Sequence, residues 1–203
     1  MLRLAPIAVA LATLAIPFAG ASAQTSADPA KAPSGTYAVE PSHTRVLFAV
    51  NHMGFTTYYG DFTGVSGALS LDSANPSAST VSVSIPVASV STTNSVLDAE
   101  LKSAGWLDAG GKPTITFKST KVTPTGANTA DITGDLTLHG VTKPVTLAAK
   151  FNASGANMMT HNMTVGFDAT AHLKRSDFGV TKYVPLIGDE VDVIISAAFE
   201  KAK

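Results

Sequence analysis

The sequence contains no cysteine, so it can form neither a disulfide bond nor a thiolate. Disulfide staples, cysteine metal sites and thiol catalysis are therefore excluded. Charged residues make up only 14% of the 203 residues, the net charge is −1, and no run of lysine or arginine occurs. The basic patch that marks nucleic-acid binding is absent. Aromatic residues account for 7%, which is low for a barrel embedded in a membrane between aromatic girdles.

The first residues have the pattern of an export signal. Arg3 precedes an apolar run over 4–19, and the small residues Ala21-Ser22-Ala23 match the rule for a cleavage site. The run is short for a transmembrane anchor. We therefore expect residues 1–23 to be a cleaved signal peptide and the mature protein to be periplasmic.

Residues 24–35 are rich in Ala, Ser and Pro, and this composition predicts a disordered leader. The remaining residues, 36–203, have the length of one domain. A domain of this size can bury a substantial core without disulfides.

Within this domain, apolar residues alternate with polar ones, as in half-buried strands. The alternation is clearest over 81–87, 130–138 and 191–199. About eight such runs, separated by turn signals, predict an all-β fold, either an eight-stranded antiparallel barrel or a sandwich. Small residues such as Ala149 and Ala171 recur on the apolar faces, and in a closed barrel they would leave room for a ligand.

One segment departs from the alternation. Val96, Leu97 and Leu101 follow helical spacing among charged residues and predict one short helix over 95–103. An apolar corner at Trp106-Leu107 follows it.

Four blocks of sequence occur in a recognisable order: YAVEPSH (37–43), GDF (60–62), GDLTLHGVT (134–142) and RSDFGV (175–180), with PTITF (113–117) between the second and the third. Over 37–201 the chain resembles the YceI-like family of periplasmic polyisoprenoid-binding proteins. The resemblance implies a lipocalin-like barrel that holds a long apolar chain, such as a polyprenyl tail, and some relatives hold quinone-like or fatty-acyl molecules. It implies no catalytic activity and no cofactor.

Alternate side chains of each strand point into such a barrel, so we predict that the apolar side chains at these inward positions line a ligand cavity. The predicted lining is Val46, Phe48, Val50, Phe62, Val83, Ile85, Phe117, Leu136, Leu138, Val165, Phe167, Phe178, Val193 and Ile195. The polar residues His43, His52 and Arg175 are candidates for contacts with a headgroup or with the barrel rim.

The five histidines do not have the spacing of a metal site. His43 and His52 lie nine residues apart, which separates them by roughly 30 Å on an extended strand. His139 shares strand parity with Asp135 and Thr137, so we expect it to have a structural role at the turn before Gly140.

Arg175 can be interpreted as an anion site or as one partner of a salt bridge to Asp177 or Asp98, and we favour the salt bridge. A hydrolase or isomerase acting on a lipid-like substrate in the same cavity is the alternative function, although the sequence has no G-x-S-x-G nucleophile motif. A barrel embedded in the membrane and an interaction module are further alternatives. A homodimer is plausible on general grounds.

Overall fold

A computed structural model describes residues 25–202, and β-strands dominate it. One α-helix, α1 (Ser95–Leu101), interrupts the strands within this range, at the position that the helical spacing predicts. No helix in the described range has the length and hydrophobicity needed to cross a bilayer. The strands are β1 (Gly35–Val39), β2 (Arg45–His52), β3 (Thr56–Phe62), β4 (Ser66–Leu71), β5 (Thr80–Pro86), β6 (Thr114–Pro124), β7 (Thr129–Leu138), β8 (Val141–Ala156), β9 (Met163–Lys174) and β10 (Ile187–Lys201).

The ten strands form one antiparallel sheet that closes on itself as an eight-stranded barrel. The long strand β10 pairs with β1 near its C-terminal end, where Val39 faces Phe199, and with β2 further along, where Val46 faces Ile195. β1 and β2 therefore lie end to end along one edge of β10. β4 pairs with β1 and β3 pairs with β2, so β3 and β4 also share one position in the barrel. The predicted eight-stranded barrel is confirmed.

Two strands were not expected from the alternation as separate elements. β1 has five residues, and β3 has a polar N-terminal half, so neither shows a long alternating run. The alternation of apolar residues over 62–71 also suggests one continuous strand, but the chain leaves the ladder after Phe62 and resumes pairing at Ser66. Gly64 adopts a φ of 65°, the left-handed region that glycine enters without steric cost.

The barrel has two different ends. At the end that we call the helical end lie the β2–β3 turn, residues 87–113 with α1, the β7–β8 turn and residues 175–186. β3 has only one full strand partner there, and an isolated bridge between Asp61 and Ser91 joins it to the segment that leads into α1. The side chain of Asn94 caps the helix by accepting from the backbone N–H groups of Val96 (3.1 Å) and Leu97 (3.3 Å). The segment with α1 thus covers the part of the barrel where β3 and β5 are not paired.

The opposite end, which we call the leader end, is covered by residues 25–34. The prediction that residues 24–35 are disordered is wrong for the described part of that segment. The backbone of Ser26 exchanges hydrogen bonds of 2.8 and 2.9 Å with that of Ser154, and Ala32 is fully buried against the barrel. A short 3₁₀ turn at Pro29–Lys31 lies between them, capped by Asp28. Composition did not reveal this because a few small apolar residues suffice to cover an exposed barrel end. The predicted signal peptide, 1–23, lies outside the described residues.

Candidate functional site

The barrel encloses a cavity of about 420 Å³, within the range of pockets that bind small molecules. It extends along β10 from Ile187 to Phe199, and every inward position of that stretch from Val191 onward lines it. At about 3.3 Å per residue this stretch is roughly 40 Å long, measured along the strand. The cavity is therefore elongated, a shape that suits an extended chain better than a compact ring system.

All but two of the apolar residues predicted to line a cavity do so. They are Val46, Phe48, Val50, Phe62, Val83, Ile85, Phe117, Leu136, Leu138, Phe167, Val193 and Ile195. Parity along each strand identified them, because alternate side chains of a barrel strand point inward. Whether these residues bind a ligand stays a prediction.

Three predicted site residues lie away from the cavity. Val165 has inward parity, but it lies deeper than Phe167 and is completely buried in the core of the leader end. Phe178 is also buried, but in the 3₁₀ turn Arg175–Phe178, outside the lumen, so the prediction that it lines the cavity is wrong. The side chain of His43 is 75% exposed and its ring contacts Glu40, three residues earlier in the chain.

Several lining residues were not among the predicted set. Ile132, Val145, Leu147 and Val191 have inward parity, which would have identified them. Other lining residues come from the covering segments of the helical end, where strand parity carries no information: Leu97, Leu101, Trp106, Leu107, Val180 and Tyr183. Leu97 and Leu101 are four apart, so they share the inward face of α1.

Two glycines keep the lumen open by allowing phenylalanine rings to lie against the barrel wall. A Cβ at Gly60 would lie 2.3 Å from Cζ of Phe48, its partner on β2, and a Cβ at Gly134 would lie 2.5 Å from Cζ of Phe117. Each ring therefore occupies the space that a side chain on the neighbouring strand would otherwise fill. Small inward residues, among them Ala149, contribute further free volume.

At the leader end the lumen is closed by tightly packed aromatic residues. The ring of Phe167 contacts those of Phe151 (5.5 Å between centroids) and Phe199 (6.1 Å). Tyr37 is fully buried beneath them and donates a hydrogen bond to the carbonyl oxygen of Pro33 in the leader, and burial raises the pKa of its phenol. A second cavity of about 130 Å³ lies between this layer and the leader, and Phe167 borders both cavities.

At the helical end the cavity reaches solvent, since Tyr183 both lines it and is 54% exposed. Among the polar residues of the lining at this end are two on the β2–β3 hairpin and two on the covering segments. The rings of His52 and Tyr58 lie 5.9 Å apart on the β2–β3 hairpin. Glu100 and Arg175 lie on the covering segments.

Arg175 is buried, and its guanidinium donates to three backbone carbonyls, those of Val180 (2.8 Å), Ile187 (2.9 Å) and Gly188 (2.9 Å). Its carbon Cζ lies 5.2 Å from the centre of the Trp106 ring, a cation–π arrangement. Burial lowers the pKa of Arg175, and nearby Asp189 opposes this effect. The guanidinium therefore braces the loop between β9 and β10 where that loop borders the cavity.

The predicted salt bridge of Arg175 to Asp177 or Asp98 is wrong. Asp177 pairs with Lys143 at 3.3 Å, and Asp98 accepts from the backbone N–H of Thr92 at 2.6 Å. Proximity in sequence suggested a carboxylate partner, whereas the tertiary fold supplies backbone carbonyls.

Glu100 ties the two covering segments together. Its Oε1 accepts hydrogen bonds from Nζ of Lys182 (2.9 Å) and from Nε1 of Trp106 (3.0 Å). The hydrogen bond from Lys182 is the main reason that the pKa of Glu100 is lowered, and the same bond raises the pKa of Lys182. The helix segment and the β9–β10 loop are thus joined above the cavity.

In the part of the chain that the structure describes, the remaining histidines do not belong to a cluster that could hold a metal ion. Among residues 25–202 no three histidine or carboxylate side chains converge as metal ligands. Nδ1 of His139 lies within hydrogen-bond distance, 3.2 Å, of the carbonyl oxygen of Phe178. His139 and Gly140 both have positive φ, 53° and 79°, as the tightest hairpin turns require. His139 therefore joins the β7–β8 turn to the 3₁₀ turn, in line with the structural role expected for it.

Comparison with known proteins agrees with this architecture. The model of the YceI-like domain matches residues 37–199. The chain belongs to the YceI-like family. A UPF0312 protein of Ectopseudomonas mendocina is 42% identical over 168 residues, which cover 82% of this chain and 87% of that relative.

Two solved structures of other proteins share the fold. BcnA of Burkholderia cenocepacia is 26% identical, with a TM-score of 0.72 over 79% of this chain and 98% of that one. A domain from Saccharophagus degradans described as polyisoprenoid binding is 13% identical, with a TM-score of 0.63 over 84% of this chain and all of that one. At this low identity the likeness to the second structure concerns the fold alone.

Proposed function

We propose that the protein is a periplasmic carrier that sequesters a long apolar lipid of the isoprenoid type inside its barrel. The observation that carries the proposal is the elongated cavity, whose lining is almost entirely apolar along the barrel strands. Such a lumen offers hydrocarbon an environment free of water, while the barrel presents polar side chains to the periplasm. The family and the domain described as polyisoprenoid binding support the same ligand class.

Burial of the tail supplies the affinity. Each buried CH₂ contributes about 0.8 kcal/mol, so one five-carbon unit contributes roughly 3 to 4 kcal/mol before the chain is ordered. Ordering a flexible tail offsets part of this gain. A few units are therefore enough for tight binding, and discrimination between similar tails is weak.

The polar groups of the lining set the orientation of the ligand. His52, Tyr58, Glu100 and Arg175 border the cavity at the helical end, whereas the leader end is closed by phenylalanine rings. A lipid with a polar head is therefore held with its head at the helical end and its tail toward Phe167. Binding in this orientation requires no chemical step, and the carboxylate of Glu100 is already engaged by Lys182 and Trp106.

The test is extraction of the purified protein with organic solvent and identification of the bound lipid by mass spectrometry, followed by uptake of added polyprenyl lipid. We expect one apolar lipid per barrel. Leu138→Asp, which places a charge in the lumen, should abolish loading, whereas Thr137→Asp on the outer face of the same strand should not. A wild-type barrel that is empty after purification and ignores added lipid would overturn the proposal. Turnover of prenyl or acyl esters would favour the hydrolase alternative instead.

A further inference from the structure

Large apolar side chains surround the opening of the cavity and face solvent. We call this group the apolar rim, and its members are Met53, Phe55, Tyr183 and Leu186, which are 50%, 82%, 54% and 62% exposed. Met53 and Phe55 lie in the β2–β3 turn, and Tyr183 and Leu186 lie in the loop before β10. Both segments belong to the helical end of the barrel.

Hydrogen bonds hold the rim in this exposed arrangement. In the β2–β3 turn the backbone N–H of Phe55 donates to the carbonyl of His52 (3.0 Å), and that of Gly54 donates to Oδ1 of Asn51 (2.8 Å). The N–H of Met53 donates to the carbonyl of Leu186 (2.9 Å), which joins the two loops. The rim is therefore one surface that spans two loops, because these bonds fix the backbone of the turn and join it to the loop before β10.

The rim continues directly into the lining of the cavity. His52 and Ile187 are the immediate neighbours of Met53 and Leu186 in the chain, and both line the cavity, as Tyr183 does. Residues 46–60 contain no charged side chain, and residues 179–188 contain only Lys182, which pairs with Glu100. An apolar molecule leaving the lumen at this end meets no free carboxylate from either loop.

We propose that the apolar rim inserts into the interfacial layer of a lipid bilayer and that the ligand passes between bilayer and cavity at this end. The inference rests on the proposed function, because a water-insoluble lipid has a bilayer as its natural source and destination. Phenylalanine, tyrosine, leucine and methionine on a polar background are the side chains that bury at a membrane interface. The lack of acidic residues in these loops also avoids repulsion from anionic headgroups.

Vesicle binding tests the docking surface. The full-length gene product would be purified, its N-terminus determined by mass spectrometry, and the protein sedimented with vesicles of phosphatidylethanolamine and phosphatidylglycerol. The double variant Phe55→Ser/Leu186→Ser removes two exposed side chains of the rim. The matched control is Met158→Ser/Met159→Ser, which removes two exposed side chains at the leader end. We expect the rim variant to lose about tenfold or more in vesicle partitioning, and the control to behave as wild type.

A second readout separates docking from ligand binding. Loading of a prenyl lipid from vesicles should slow in the rim variant by a similar factor, while its loading from detergent micelles should match wild type. Absence of vesicle binding by the wild type, or equal loss in the rim and control variants, would overturn the docking surface. Failure of every variant to load from micelles would instead overturn the proposed function.

Discussion

The two ends of the barrel are closed by different chemistry, and the difference explains how one fold can be both stable and open. At the leader end, Tyr37, Phe151, Val165 and Phe199 pack without access to solvent, and Ala32 of the leader covers them. At the helical end the covering segments add an apolar cluster around Val87 and Val90, and hydrogen bonds and ion pairs such as those of Glu100 and Arg175 join them beside the opening of the cavity. The leader end is therefore closed by a layer of aromatic rings, whereas the helical end carries polar contacts next to an opening that reaches solvent.

The same substitution at the two ends should give the largest contrast. Phe151→Ala removes a buried ring that packs against Phe167 in the core of the leader end, and it should lower the free energy of unfolding by about 3 to 5 kcal/mol. Phe48→Ala should cost less than half of that, because the lumen leaves one face of its ring without contact partners. Denaturant unfolding of the lipid-free proteins measures both values. Equal costs would show that the lumen is as densely packed as the leader end.

A bulky side chain at the deep end of the lumen should shorten the ligand that the barrel accepts. Ala149 lines the cavity next to the closed end, while its neighbour Ala148 faces outward. Ala149→Trp should weaken the binding of long prenyl chains by roughly a hundredfold, because the indole displaces about one five-carbon unit of the lipid. The binding of short chains should be unchanged. Affinities for a series of prenyl alcohols measure the effect, and Ala148→Trp is the control. A uniform loss across all chain lengths would contradict a tail that points toward Phe167.

A smaller effect should follow from a methyl group at Gly60. The added Cβ would push the ring of Phe48, a side chain that can move, into the lumen, and it would lie 3.0 Å from the carbonyl oxygen of Ser91. Overpacking of this kind should weaken prenyl binding by about tenfold. Gly110→Ala is the control, because a Cβ there meets nothing within 4 Å. Titration with a fluorescent prenyl lipid measures both variants, and an unchanged affinity in Gly60→Ala would mean that the ring does not shape the binding site.

The smallest effect concerns pH at the helical end. The pKa of Glu100 lies below its ordinary value of 4.5 because Lys182 and Trp106 donate to it, and that of Asp189 is lowered by Ser176. A carboxyl with a depressed folded-state pKa stabilises the fold above its unfolded-state pKa, and this contribution is lost as the pH falls through the folded-state value. We therefore expect the helical end to loosen below about pH 4.5, before the barrel unfolds.

Fluorescence of Trp106, the only tryptophan, reports this loosening, while circular dichroism follows the barrel. Glu100→Gln should show the loosened signal already at neutral pH. If the two signals change together in both the wild type and the variant, the hydrogen bonds of Glu100 do not determine the stability of the helical end.

The barrel wall was predictable from the sequence because the side chains of a strand alternate with a period of two. Val191, Val193 and Ile195 on β10 show that period plainly, and all three line the cavity. Parity identifies the face of a strand but not the height along the barrel axis. Val165 therefore has the predicted orientation and yet lies in the closed end, below Phe167.

The ends were less predictable, because tertiary partners decide their structure. The position of Phe178 depends on a 3₁₀ turn that docks onto His139, and the partners of Arg175 are carbonyls several residues further along the chain. The leader has the composition of a disordered segment, but it gains order from the exposed barrel end that it covers. None of these contacts leaves a periodic signal in the sequence.

The most direct test of lipid binding inside the barrel is a crystal structure of the protein loaded with a prenyl lipid. We expect continuous density for a single chain inside the barrel, with its head near Arg175 and Trp106 and its tail ending at Phe167. Density for the lipid on the outside of the barrel, or a lumen filled by the protein's own side chains, would contradict it.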